Sequence, residues 1–374
     1  MNVLHFGTFD VKAGGPAMSV YLTLLGLNRC GIEASLAMYS LANAGQLIGA
    51  DVPVHFCKRP WEQKMAFSPT LKKELGKIKN IDVFHAQGVW QYPTYALIDV
   101  AKQKRKPYLI TPRGMLYPQD IKKSNPIFKK ISLKIRLLND LNKAACVHVT
   151  CEEEMRYCRN LGVMAPIAVI PNPVEIKDYL PLKNQDVFRV GYLGRLSPRK
   201  NVEALLYAFS ELKLPNAELV VIGSGDEEYE RFLHSEVERL NLKNVVFVGF
   251  LSGDDKDAVL SSLSLLVMPS EFENLGNVIL EGLVRGIPCV ATKGAPWKDL
   301  TDYNCGWWID YNQDAIIKAI ADAYSVEIDL RNKMGENGKH LVREKYSVES
   351  VSSKMLTLYE WVCGKSSKPK FVYE

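Results

Sequence analysis

Two glutamates eight residues apart, Glu273 and Glu281, sit in the segment Pro269-Ser-Glu-Phe-Glu-Asn-Leu-Gly-Asn-Val-Ile-Leu-Glu-Gly282. The run LLVMPS before them reads as a buried strand that ends in a loop. A helix is then expected to begin near Asn277, a good N-cap residue, and to stop at Gly286 and Pro288. Glu273 would lie on the loop and Glu281 about one turn into the helix. The amides from Gly276 to Val278 would be helix-start donors with no intrahelical acceptor. Two carboxylates flanking such donors can hold the hydroxyls of two sugars, one a hexose and one a ribose. A carboxylate at a helix start also serves as a plain capping group, so either glutamate alone has two readings.

Cations stand at a second junction. Gly194-Arg195-Leu-Ser-Pro-Arg-Lys200-Asn201 follows the apolar run FRVGYL and precedes a helical pattern. Arg195 and Lys200 beside a helix start suit a diphosphate, although a solvated basic loop has the same composition. Gly14-Gly15 follows the first strand-like run. It lets backbone approach an anion, or simply turns the chain, and it is not the G-x-G-x-x-G dinucleotide fingerprint. Asp255-Lys-Asp257 has the spacing of a metal-binding pair. It falls at a helix start, where aspartates cap and complement the dipole, and the six histidines form no ligand cluster. No metal is expected.

These residues need strands to carry them and helices to return the chain. VLHFGTF, VFHAQG, PYLITP, CVHVTC and IAVIP read as short buried strands in the first half, and FRVGYLG, AELVVIG, VVFVG, LLVMPS and PCVAT in the second. Helical periodicity between them, as in NVEALLYAFSEL, argues for parallel sheets with crossover helices. The expected class is α/β with two Rossmann-like, doubly wound domains. The boundary is placed at Pro171–Asp186, rich in proline, between a domain over 1–180 and a domain over 186–345. A final helix and tail over 346–374 would cross back to the first domain. Ligands of open α/β sheets bind at the carboxyl ends of strands, so two such domains facing each other would hold the chemistry in a cleft between them.

The Glu273-x7-Glu281 string, the GRLSPRKN loop, the Gly223-Ser-Gly225 turn and the Gly14-Gly15 loop occur together. In combination they resemble the retaining, nucleotide-sugar-dependent glycosyltransferases of family 4 (group 1), which have a GT-B-type fold. The resemblance covers nearly the whole chain. Thr111-Pro112-Arg113-Gly114-Met115-Leu116, ENLGNVILE and Cys305-Gly306-Trp307-Trp308 are similar to a branch that builds bacterial surface polysaccharides.

The resemblance implies roles. Arg195 and Lys200 would hold the donor's diphosphate, Glu281 the ribose, and Glu273 the transferred sugar. Asn274, Leu275, Gly276 and Asn277 would contact sugar or phosphate. Gly15 and Gly223 would approach the donor, with Phe250 and Leu251 near the base. One position departs from the pattern: many relatives carry a histidine where this chain has Gln87. An amide still hydrogen-bonds a hydroxyl but cannot take a proton as a base. A same-face mechanism asks little of that position, because the leaving phosphate can deprotonate the acceptor. The change at Gln87 reads as altered substrate contact rather than lost activity. Gln87 and Arg113 are expected as sugar or acceptor contacts, and His85 either substitutes for the missing histidine or, as strand histidines more often do, simply packs.

Composition agrees with a globular protein: 374 residues, 47% hydrophobic and 24% charged. No run approaches the length of a membrane-spanning helix, MNVLHFGTFD reads as no secretory leader, and the eight cysteines show no C-x-x-C. A cytoplasmic protein with reduced thiols is expected. Net charge is +5, yet residues 1–185 hold 25 basic and 14 acidic side chains. From Lys102 to Arg136 there are eleven bases and one acid. PIFKKISLKIRLL alternates apolar and basic residues, which suits an amphipathic helix on an anionic membrane, peripheral to its inner face, or equally a packed surface helix. No nucleic-acid module is present.

The expected activity is metal-independent transfer of a hexose, with retention, from a nucleotide diphosphate sugar to a lipid-linked glycan. The nucleotide sugar is a substrate, and no cofactor is expected. A nucleotide-sugar epimerase, a glycan phosphorylase and a non-catalytic sugar-binding protein are the alternatives.

Overall fold

The computed structural model describes residues 1–41, 47–49, 51–59, 61, 65–123, 125–180 and 187–374. The chain divides into two compact units, Met1–Glu175 with Ser347–Glu374, and Ile176–Tyr346. Part of the segment expected as the boundary, residues 181–186, lies outside the described residues.

The first unit is built on β1 (Asn2–Phe6), β2 (Glu33–Tyr39), β3 (Val54–Cys57), β4 (Val83–Gln87), β5 (Tyr108–Thr111), β6 (Cys146–Val149) and β7 (Ile167–Val169). Their order is β7-β6-β5-β4-β1-β2-β3, all parallel, with Val372–Tyr373 added antiparallel beside β7. Alternation sorts side chains to two faces. Leu4, Phe84, Ala86, Ile110 and Val147 face one apolar cluster. Val3, Val83, Leu109 and Cys146 face the other, against the helices Gly15–Arg29 and Val348–Val362.

The second unit contains β8 (Phe188–Leu193), β9 (Ala217–Ile222), β10 (Val245–Gly249), β11 (Leu265–Met268), β12 (Cys289–Thr292) and β13 (Gly306–Ile309). The order is β10-β9-β8-β11-β12-β13, entirely parallel. In each sheet the winding reverses once, between β1 and β4 and between β8 and β11. Such reversals separate the two flanking crossovers and leave a crevice at the strands' carboxyl ends.

Four of the described strands escape the sequence reading, the two-residue Val372–Tyr373 among them. EASLAMY in β2 is rich in helix formers, yet Ala34, Leu36 and Ala37 are fully buried between neighbours, and tertiary burial overrides propensity. VHFC in β3 and GWWI in β13 are edge strands too short to show a period.

Candidate functional site

The loops after β8 and β11 meet at the second unit's reversal point. The Glu271 amide donates to the Arg199 carbonyl at 3.0 Å, and Asn201 Nδ2 donates to the Pro269 carbonyl at 3.4 Å. This brings Lys200 onto Glu273: Lys200 Nζ donates to Glu273 Oε1, which also accepts from Ser270 Oγ at 2.8 Å. Arg195 is exposed on the same loop, and among the described residues no carboxylate pairs with it. The site thus offers one open guanidinium beside an internally paired cation and anion.

The turn after β9 explains its glycines. A Cβ on Gly223 would lie 1.9 Å from the Gly194 carbonyl oxygen, and one on Gly225 would lie 2.0 Å from that of Leu196. Only glycine lets this turn pack against the Arg195 loop. Gly223 therefore has a structural duty besides the approach to the donor that the resemblance implies.

The loop after β11 is held by buried Trp297, whose Nε1 donates to the Leu275 carbonyl at 2.5 Å. Gly276, at φ 76°, is the cap residue of the helix Asn277–Leu283. Asn277 is therefore the first helical residue rather than the expected N-cap. The left-handed conformation is cheapest for glycine, so the boundary shifts by one position. Glu281 lies on this helix and pairs with Lys256 at 2.7 Å. Phe250, 72% exposed, and partly buried Leu251 follow β10.

Asp257 corrects the reading of Asp255-Lys-Asp257 as a capping group. The helix Gly253–Leu260 begins after Ser252 and takes Asp254 and Asp255 into its first turn, while Asp257 lies deeper. Asp257 binds Arg285 Nη2, and Lys177 Nζ at 3.2 Å. Burial pushes its carboxyl pKa up, but the bonds and charges from Arg285 and Lys177 prevail and hold it below the usual carboxylate range. Lys256, between the two aspartates, is the partner of Glu281. Among the described residues no group of three or more His, Cys, Asp or Glu could hold a metal ion.

In the first unit, Gly15 opens the helix Gly15–Arg29 and is exposed after β1. Gln87 ends β4. Its Oε1 accepts from Arg113 Nε at 2.9 Å, and its Nε2 lies 3.0 Å from His5 Nδ1. Arg113 also donates from Nη1 to Asn172 Oδ1 at 2.8 Å. Of the two readings of His85, sugar or acceptor contact or packed strand residue, the structure gives the second, and the side chain is fully buried. Its two ring nitrogens are taken by Tyr359 (2.7 Å) and Thr111 (2.6 Å). Sequence reasoning missed His5, His148 and Tyr359. A signal was available: His5, His85 and His148 each occupy the third or fourth position of a short apolar strand, in β1, β4 and β6.

The basic segment forms the helix Pro126–Ser132, a π-helical turn Leu133–Leu137 and the helix Leu138–Asn142. Asp99 and Asp140 cancel part of the basic charge. Asp140 pairs with Lys102 (2.5 Å) and Arg136 (3.0 Å), and Asp99 pairs with Arg136 (2.5 Å). The remainder is a surface feature. Ile127 and Ile135 are 75% and 76% exposed, Phe128 and Ile131 are exposed between them, and Lys122, Lys123, Lys130 and Lys134 of the same stretch of chain are exposed too. Among the described residues no helix is long and apolar enough to cross a membrane.

Comparison with known proteins matches residues 14–173 to the glycosyl transferase 4-like domain and residues 178–341 to glycosyl transferases group 1. The chain is 29% identical to the lipopolysaccharide core biosynthesis glycosyltransferase LpsE of Rhizobium meliloti, over 44% of this chain and 48% of that one. It is 22% identical to the UDP-Gal:alpha-D-GlcNAc-diphosphoundecaprenol alpha-1,3-galactosyltransferase of Escherichia coli, over 62% of this chain and 60% of that one. The chain spans about half the length of the curated relatives it matches. Among solved structures, Anabaena HepE in complex with UDP and glucose aligns with TM-score 0.76 at 18% identity, over 96% of this chain and 100% of that one. The two matched domains, their parallel sheets and the GT-B fold of the structural neighbours agree, and the chain belongs to the family-4, group 1 glycosyltransferases.

Proposed function

We infer that this glycosyltransferase moves a hexose from a nucleotide diphosphate sugar, with retention, to a lipid-linked glycan acceptor in surface-polysaccharide assembly. The observation that carries the reading is the constellation at the second unit's reversal point: open Arg195, and Lys200 held against Glu273 by stitched loops. As the glycosidic bond lengthens, the sugar becomes oxocarbenium-like and negative charge grows on the diphosphate. Lys200, held on Glu273, and the open Arg195 on the same loop would be the cations for that charge, and donors aimed at developing charge are the largest contributors to many rate enhancements. Glu273 would take hydroxyls of the transferred sugar, and Glu281 those of the ribose, with Asn274 to Asn277 between them. The leaving phosphate would accept the acceptor's proton.

Two similarities support the finer points. HepE was solved with UDP and glucose, and the Escherichia coli relative acts on a diphosphoundecaprenol-linked sugar. Because side chains provide the cations, neither metal nor cofactor is assigned to the reaction. The exposed Ile127–Ile135 stretch with its lysines would rest on the anionic membrane that carries such an acceptor.

Thermal-shift screening against UDP, GDP, ADP and CMP sugars tests the donor. At about 100-fold excess over its dissociation constant, the true donor stabilises by about 2.7 kcal/mol. The anomeric configuration of the product then tests retention. An inverted product, or phosphate-dependent release of a sugar phosphate, would contradict the reading.

A further inference from the structure

Eight groups in the first unit form one unbroken hydrogen-bond chain. In order they are Arg113 Nε, Gln87, His5, Tyr359, His85, Thr111, His148 and the Ile170 carbonyl. The successive distances are 2.9, 3.0, 2.8, 2.7, 2.6, 3.0 and 2.8 Å. The histidines and Thr111 follow the apolar row Val3, Val83, Leu109 and Cys146 on the same sheet face, one alternation later, under the helix that carries Tyr359.

The two ends determine every proton between them. Arginine only donates, so Gln87 Oε1 must face it, and the Gln87 amide nitrogen must donate to His5 Nδ1. A carbonyl only accepts, so His148 carries its proton on Nε2 and takes the Thr111 hydroxyl proton on Nδ1. Thr111 then accepts from His85 Nε2, and His85 Nδ1 accepts from Tyr359. Tyr359 in turn accepts from His5 Nε2. Worked from either end, the assignments coincide: each imidazole is neutral and protonated on Nε2, and every bond runs in one direction. Burial first, then neighbouring positive charge, keeps His5 neutral with a pKa down at about 3.

We propose that this chain is a positioning device: Tyr359, His85, Thr111 and His148 act through His5 and Gln87 to orient the Arg113 guanidinium toward substrate. Gln87 and Asn172 take the Nε and Nη1 donors, and Nη2 has no acceptor among the described residues. Arg113 is partly exposed at the carboxyl end of β5, so the remaining donors suit a phosphate or hydroxyl oxygen. The kinetic consequence rests on the reading of Arg113 as a substrate contact. The directional chain itself does not.

Removing one member reverses the chain rather than leaving a simple gap. In Tyr359→Phe the His5 Nε2 proton loses its acceptor. Moving that proton to Nδ1 relieves the buried donor, but Gln87 must then turn its oxygen to His5 and its NH2 to Arg113, and the Arg113 bond is lost. Thr111→Val starts the same reversal from His85, and Thr111→Ser retains the hydroxyl and should restore the wild-type state.

Imidazole 15N spectra and side-chain hydrogen exchange test this without turnover. Expected are three Nε2-protonated neutral histidines in the wild type and a slowly exchanging Arg113 Nε–H. That protection should fall in Tyr359→Phe and Thr111→Val and return in Thr111→Ser. With the identified donor and acceptor, the first two variants should raise the KM of one substrate about tenfold or more while the melting profile stays cooperative. An Nδ1-protonated histidine in the wild-type chain, or unchanged Arg113 protection in both variants, overturns the proposal whether or not sugar transfer is observed. Altered protection with unchanged KM for both substrates overturns the positioning role.

Discussion

At the scale of single residues, the cations at the β8 and β11 loops differ in what they already hold. Arg195 is open, whereas Lys200 is committed to Glu273. Arg195→Ala and Lys200→Ala should each slow turnover by about 10²–10³-fold, a barrier rise of about 2.7–4 kcal/mol, with melting temperature unchanged for Arg195→Ala. Saturating kinetics with the donor checks this. The glutamates should separate under calorimetry. If Glu281 holds the ribose as proposed, Glu281→Ala, which also frees Lys256, should make the bare nucleoside diphosphate bind about tenfold or more weakly. Glu273→Ala should spare bare-nucleotide affinity by comparison and weaken binding of the intact nucleotide sugar. Equal loss for bare nucleotide in both variants would contradict the division.

Residue identity was readable wherever a side chain's duty is local. The Gly194–Asn201 loop and the Glu273–Glu281 string declare cations and carboxylates at strand ends, and the structure brings Lys200 and Glu273 into contact. Duties set by distant partners were hidden. Asp257 resembles a capping residue until Arg285 and Lys177 are placed against it, and His85 stays open between contact and packing until Tyr359, 274 positions later, covers it.

At the scale of elements, alternating strands and helices announced parallel sheets, but pairing order depends on contacts remote in sequence. The two reversal points therefore appear only in three dimensions, and with them the reason these particular loops carry the site. Buried polar elements also shape acid stability. His5 and His148 are held neutral by burial, with pKa values down at about 3 and about 4, against an ordinary 6.5. Their unfolded forms bind protons first, so stability is complete above about pH 6.5 and is lost as pH falls toward those lower values. Urea midpoints of the wild type should decline between about pH 6.5 and pH 4. A flat profile over that range would contradict the buried neutral row. Asp257 acts further down the scale: its depressed carboxyl contributes stability at neutral pH that is lost only below the ordinary carboxylate value. Asp257→Ala leaves Arg285 buried without its counter-ion, and a cost of about 3–5 kcal/mol is expected in urea unfolding at pH 7.

At the scale of the whole molecule, part of the basic excess of residues 1–185 lies in one exposed segment that also exposes apolar side chains. Lys102 and Arg136 are neutralised by Asp99 and Asp140, so the anionic-surface reading rests on Lys122, Lys123, Lys130 and Lys134 together with Ile127, Phe128, Ile131 and Ile135. Changing those four lysines to serine should reduce co-sedimentation with anionic liposomes. Wild-type binding should weaken as salt rises, because exposed charges are screened beyond about 8 Å at physiological ionic strength. Turnover of a short water-soluble acceptor should change little. Unaltered liposome binding in the quadruple variant would leave the segment an ordinary solvated face.

If the second unit's reversal point receives the diphosphate of a nucleotide sugar, Arg195 and Lys200 must carry much of the nucleotide's affinity. Isothermal titration of UDP, GDP, ADP and CDP into the wild type and the Arg195→Ala/Lys200→Ala double variant tests it most directly. One of these nucleotides should bind the wild type and lose affinity at least a hundredfold in a double variant that still unfolds cooperatively. A double variant that binds that nucleotide as tightly as the wild type would contradict it.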